Sequence, residues 1–338
     1  GGNYDISIGG NQNILNSHRT VALGNNIKTS ESLDSLAAGN KATITNSRLA
    51  TAVGDETSVT DSTASSAFGA GSSIKKSDHS TAVGAGASVN ESQLSFAAGD
   101  YASVTGGYGD IAFGKSSTVS NATQSTAIGY ESSVTGNSRG MALGTLAKVT
   151  DSYGGTALGA STSVSSSTAS SAIGSGSSVT GGNDSSAIGK SASVSDSKFS
   201  TAVGTSASVT SSNFALASGA SANVKDSYGG TALGASASVT NSVRASASGN
   251  NASVTDSSYA QADGAGAKVT SSKSATAVGN DAIVTNSGSA TAVGNGANIT
   301  NSASSVAVGQ LASVTNSNVS TASGYKAKIT DSYQAQAY

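Results

Sequence analysis

The 338-residue sequence contains no cysteine, no proline and no tryptophan, and a single methionine. Without cysteine the chain makes no disulfide and offers no thiolate to a metal, although that alone names no compartment. Without proline, every residue keeps a backbone N–H to donate, which suits continuous strand stacking. Aromatics make up 4% of the chain and charged residues 11%, with a net charge of −2. The few lysines and arginines form no basic stripe, so nucleic acid is not an expected partner. There is no signal peptide, no apolar run long enough to span a bilayer and no heptad segment, so this segment is expected to make no direct membrane contact. No stretch carries the 3.6-residue apolar period of a helix.

What the chain does have is a beat. Glycine recurs every 15 residues from Gly9 through Gly24, Gly39 and Gly54 to Gly324, giving 22 copies without an insertion or deletion. A chain held to one period is quasi-one-dimensional, each copy packing on its neighbours. The same small polar composition without that register would read as low complexity.

Slots are numbered here from the repeating glycine. Slot −2 is Ala in 21 of 22 copies, Ser7 being the exception, and slot −1 is Val, Ile, Leu or Phe in 16. Slot +3 is usually Ala or Ser, slot +5 is Val or Ile in 21 copies (Thr29 is the exception), and slots +6 to +8 read Thr-Asn/Asp-Ser. Two short strands and two turns per coil follow. The glycine marks one bend, where positive φ or close backbone approach is needed. The Thr-Asx-Ser triplet forms the other, its side chains bonding local amides. In the second strand the apolar slots +3 and +5 alternate with a polar slot +4, one face in and one out. In the first strand, slots −2 and −1 point to opposite faces, yet both are apolar. A lone solenoid has one inside. The second apolar face would be a stripe beyond what a soluble monomer exposes, and identical chains around a shared axis are its simplest cover. Stacked at roughly 4.8 Å per coil, 22 coils would span about 105 Å. The expected fold is all-β, a parallel β-solenoid of about 22 coils assembled side by side as a homotrimer.

These residues resemble the head repeats of YadA-like trimeric autotransporter adhesins of Gram-negative bacteria, whose signature is similar to N-S-V-A-I-G-x-x-S. Ser304-Ser305-Val306-Ala307-Val308-Gly309-Gln310-Leu311-Ala312 nearly matches it, as does Gln124-Ser125-Thr126-Ala127-Ile128-Gly129-Tyr130-Glu131-Ser132. Ser170-Ser171-Ala172-Ile173-Gly174 gives its core, and the match recurs from about Ile6 to Tyr338. The resemblance implies a single left-handed parallel β-roll head over 1–338 and three chains side by side. It also implies display at the cell surface, with the stalk and a C-terminal outer-membrane anchor lying outside these residues. The implied role is attachment to host cells through a receptor or matrix protein, with CEACAM-type receptors, collagen, fibronectin and laminin as the precedents. Two departures stand against the collagen precedent: the strict 15-residue period, and slot −3, which is Thr in nine copies where the family has Val.

Variability within a strict repeat is the internal pointer to a binding surface. Slots +9 and +10 carry all four arginines (Arg19, Arg48, Arg139, Arg244) and both histidines (His18, His79). They also carry Tyr108, Tyr153, Tyr228, Tyr259, Tyr333, Phe199 and Phe214. Following a turn, they read as an exposed ridge, and aromatic and arginine side chains on a rigid ridge are what interface hot spots are made of. The candidate receptor-binding residues are Phe199, Phe214, Tyr228, Tyr153, Arg139 and Arg244. A second irregularity is slot −1, polar at Ser218, Ser248, Asp263 and Ser323. If that slot faces a trimer axis, three Asp263 carboxylates would converge in a polar layer with Ser248 and Ser218. No metal site, cofactor or catalytic constellation is expected, since the two histidines lie four coils apart and the Gly-x-Gly runs lack the context of a phosphate loop. Two other functions remain open: a structural spacer, and an ice-binding solenoid. The latter would need an outward Thr-x-Thr array, which slots −3 and +6 do not spell.

Overall fold

The computed structural model describes residues 4–338, and Gly1 and Gly2 lie outside the described residues. The chain divides into two compact units, Gly1–Ala169 and Ser170–Tyr338, each built from the same coil. In the first unit one sheet stacks the strands from Ile6–Ile8 to Thr156–Leu158, and a second stacks those from Asn13–Leu15 to Ser163–Ser165. In the second unit the two sheets run from Ser171–Ile173 to Gln336–Ala337 and from Ser178–Thr180 to Lys328–Thr330. All pairing is parallel and one coil out of step in sequence: Thr126 opposes Met141, Ala127 opposes Ala142 and Ile128 opposes Leu143. Each unit is therefore an all-β parallel solenoid, as the period predicts.

Alternation decides which apolar slot builds the core. Slot −2 points inward, and Ala127, Ala142 and Ala157 are fully buried. The slot +5 residues Val134, Val149 and Val164 meet them from the other sheet, also buried. Each buried Val contributes about 1.5 kcal/mol or more. The one Thr in that slot, Thr29, keeps its shape but leaves its Oγ1 buried without a partner. Slot −1 points outward, leaving Phe113, Ile128 and Leu158 exposed at 53%, 40% and 43%. The first strand is thus apolar on both faces, with Ala inside each coil and the larger aliphatics outside.

Much of the remaining interior is hydroxyl. The slot +8 serine donates to the carbonyl two residues back and accepts the N–H of the residue one coil on: Ser242 Oγ lies 2.7 Å from Thr240 O, and Ser257 N lies 2.9 Å from Ser242 Oγ. In the second unit this ladder runs unbroken from Ser197 to Ser332. In the first unit it is interrupted at Gly107, Ala122 and Asn137. Asn137 mimics a serine with its amide, donating to Val149 O and accepting the Ser152 N–H.

The corners differ from expectation. Each coil turns three times rather than twice, with left-handed residues at slots +2, +7 and +10. Slot +7 is the expected Asx corner, as at Asp151 (φ 48°) and Asn241 (φ 49°). The unforeseen corner at slot +10 separates the second strand from the first of the next coil, and there even Phe199, Phe214 and Val319 take φ of 54–57°. The repeating glycine is a fourth special position: Gly129 has φ 134°, and a Cβ there would lie 2.5 Å from Gly144 O. Only glycine satisfies both demands.

The outward face of the second sheet carries one regular polar column. Thr240, Thr255, Thr270, Thr285, Thr300 and Thr315 form a half-buried rank along it in the second unit. The companion slot +4 carries Ser238, Ser253, Lys268, Ile283, Asn298 and Ser313, so the rank is a single column rather than a paired array.

Candidate binding surface

The slot +10 corner turns side chains out of the coil, which is why the variable slots form a surface. In the second unit Phe199 and Phe214 stack with ring centroids 5.0 Å apart and planes 13° from parallel. Tyr228 meets Phe214 edge-on at 5.4 Å and 62°. Both geometries are favoured for aromatic pairs. The room for Tyr228 comes from Gly229, which leaves the next slot +10 position empty. The stem of Arg244 lies over that glycine, where a Cβ would come within 3.5 Å of Arg244 Cγ. The three rings remain about half exposed, as does Tyr259 further along. Of the sequence candidates, then, Phe199, Phe214, Tyr228 and Arg244 form one surface in the second unit. Beside it lies an open depression lined by Val243, Asp256, Ser258, Tyr259 and Lys273; of these, sequence reasoning put only Tyr259 on the ridge and read Asp256 as a turn former.

Arg139 and Tyr153 form a separate pair in the first unit. Arg139 Nη1 donates to the Tyr153 hydroxyl at 3.0 Å, and the guanidinium carbon sits 5.8 Å from the ring centroid. Hydrogen bond and cation–π contact together fix a ring that is otherwise half exposed. Here slot +9 forms a third parallel ladder, with Tyr108, Thr123, Ser138 and Tyr153 bridged in succession. An open depression of about 460 Å³ overlies it, lined by Asn121, Thr123, Ser138, Asp151, Tyr153 and Thr168 among others. Thr123 and Ser138 escaped sequence reasoning, and Asp151 was read only as part of the Asx corner. The signal for the first two is two consecutive small residues between tyrosines in one slot.

The left-handed backbone under these side chains is not itself a functional sign. Ala64, Ser274 and Ser289 hold the same corner at φ 53–57°. It is the cost of the coil.

Asp263 lies exposed on the outer face of the first sheet, in register between Ser248 and Val278. Ser248 and Ser218 share that face, half-buried. Among the described residues no group of three or more His, Asp or Glu could hold a metal ion.

No protein-family model matches the chain, and no curated protein matches it. Among solved structures, one similar chain is a Desulfovibrio desulfuricans G20 protein described as a "putative acetyltransferase". It is 11% identical, and the match covers 82% of this chain and 63% of that one, with a TM-score of 0.15. The chain thus spans somewhat less than two thirds of that structure's length, and a likeness at this level carries no argument about fold or chemistry.

Proposed function

We propose that this chain is the head segment of a bacterial surface adhesin, working as a left-handed homotrimeric β-roll that binds a host receptor or matrix protein through the Phe199–Phe214–Tyr228 ridge. The observation that carries the binding role is the ridge itself. Three large rings, packed on one another and half exposed, project from a hydrogen-bonded corner in a chain with only 4% aromatics. Rings pre-ordered by stacking lose little entropy when a partner covers them, and rigid aromatic anchors dominate protein interfaces. Assembly is supported by the outward aliphatics of slot −1, and display at the cell surface by the resemblance of the repeat to the adhesin heads.

The experiment replaces Phe199, Phe214 and Tyr228 together by serine in the assembled protein and measures adhesion to host cells. Serine already occupies the same slots at Ser274, Ser289 and Ser258, so the fold tolerates the change. Adhesion is expected to fall at least tenfold. Unchanged adhesion would leave the segment as a spacer that projects some other domain.

A further inference from the structure

We propose that the depression beside Tyr153 in the first unit, lined from Asn121 and Thr123 to Thr168, is a carbohydrate-binding site for a short neutral oligosaccharide. Its floor is fixed by main-chain bonds. Arg139 N donates to Thr123 O at 2.9 Å, Thr123 N to Asn137 O at 2.9 Å, and Gly154 N to Ser138 O at 2.9 Å. Tyr108 and Tyr153 stand three ladder steps apart, about 14 Å at the spacing of adjacent strands. Thr123 and Ser138 between them are short, and together with Asn121, Asp151, Tyr153 and Thr168 they line a depression of about 460 Å³ that Tyr108 does not border. That volume matches the smaller small-ligand clefts, here lying open to solvent.

The lining selects the ligand class. A pyranose ring has an apolar C–H face and a rim of hydroxyls. The Tyr153 ring, held by Arg139, offers a flat apolar surface for the first. For the second, the floor presents the Thr123 and Ser138 hydroxyls, the Asn121 amide and the Asp151 carboxylate, and a carboxylate can accept from two vicinal hydroxyls at once. Asp151 lies directly over Gly136, whose missing Cβ makes room for Oδ1 at 2.5 Å from where that atom would be. Charge then separates neutral from acidic sugars. The Asp151 carboxylate in the lining repels a sialic acid or sulfate, and Arg139, which keeps its charge while bonded to the Tyr153 hydroxyl, does not itself line the depression. Asn137 is not part of the recognition surface, because both ends of its amide serve the interior ladder.

This site does not depend on the adhesin reading, and it shares no residue with the ridge that reading uses. The test is a printed array of neutral, sialylated and sulfated oligosaccharides probed with the full chain and with three variants. Ser138→Tyr fills the depression with a side chain that this slot already accepts at Tyr108, Tyr153 and Tyr228, so it blocks the site without unfolding the coil. Tyr153→Ala removes the apolar wall, and Phe199→Ser serves as the control. The expected result is binding of one or more neutral glycans, lost with Ser138→Tyr, weakened at least tenfold by Tyr153→Ala and unchanged by Phe199→Ser. Binding of no glycan, binding of acidic glycans only, or neutral-glycan binding that survives Ser138→Tyr would overturn it.

Discussion

Asp110 shows how far a single residue can depart from its slot and still fold. It takes slot +11, where Ser or Ala is usual, and is the one carboxylate fully buried among the described residues. Its Oδ1 accepts the Ser125 N–H at 2.8 Å, while Oδ2 has no partner and fills the room left by Gly107. Burial pushes its pKa above the ordinary carboxylate value, and the N–H groups of Ser125 and Tyr108 draw it back only in part. A raised folded-state pKa means the folded chain holds the proton more tightly than the unfolded one. The contribution to stability is therefore complete below the unfolded value of about 3.9 and is lost as pH rises through the folded value. Relative to Asp110→Asn, which removes the charge and keeps the shape, the parent chain should lose thermal stability progressively above about pH 4. Parallel melting profiles for the two across pH 4 to 7 would show that the carboxylate is not held neutral. Nothing in the residue order signals this side chain's state, since Asp in such a repeat reads first as a turn former.

At the scale of the coil, the strands and the Asx corner were legible because each rests on local chemistry: alternation for Val134 and Ala127, side-chain bonding to amides for Asn241. The corner at slot +10 was not, because Phe199 or Val319 has no intrinsic preference for left-handed backbone and adopts it only when stacking on both sides imposes it. The Phe199–Phe214–Tyr228 cluster could be anticipated from spacing, whereas the Arg139–Tyr153 pair and the depression beside it depend on that unforeseen corner. The serine ladder is the element most open to test. Ser257→Ala removes the acceptor for the buried Ser272 N–H, which lies 2.8 Å from Ser257 Oγ. The loss should be about 1–3 kcal/mol, the cost of a buried donor left unpaired, read as a shift in the denaturant midpoint. Ser332→Ala, in the last coil and only half-buried, should cost far less. Equal shifts for the two would mean that the ladder follows the backbone rather than supporting it.

For the whole molecule, the governing fact is that the first sheet buries Ala and exposes Val, Ile, Leu and Phe. The sequence made it clear that both faces were apolar but not which was inner, because Ala and the aliphatics alternate and either register fits the pattern. With Ala inside, the outer column is what a partner chain would cover. The molar mass in solution is accordingly expected at three times the 32.3 kDa of one chain. A stable species of 32.3 kDa, measured by light scattering, would remove the case for assembly. The glycine column bears on a different matter, how such a protein changes over generations. Because the carbonyl of each coil occupies the place of the preceding glycine's missing Cβ, the gap between glycines is fixed, and a shift of one codon within a copy breaks the pairing with its neighbours. Recombination between near-identical repeats adds or removes whole copies and keeps every glycine seated. Reach could then be reset by gene rearrangement alone, in even increments, without any new contact having to evolve.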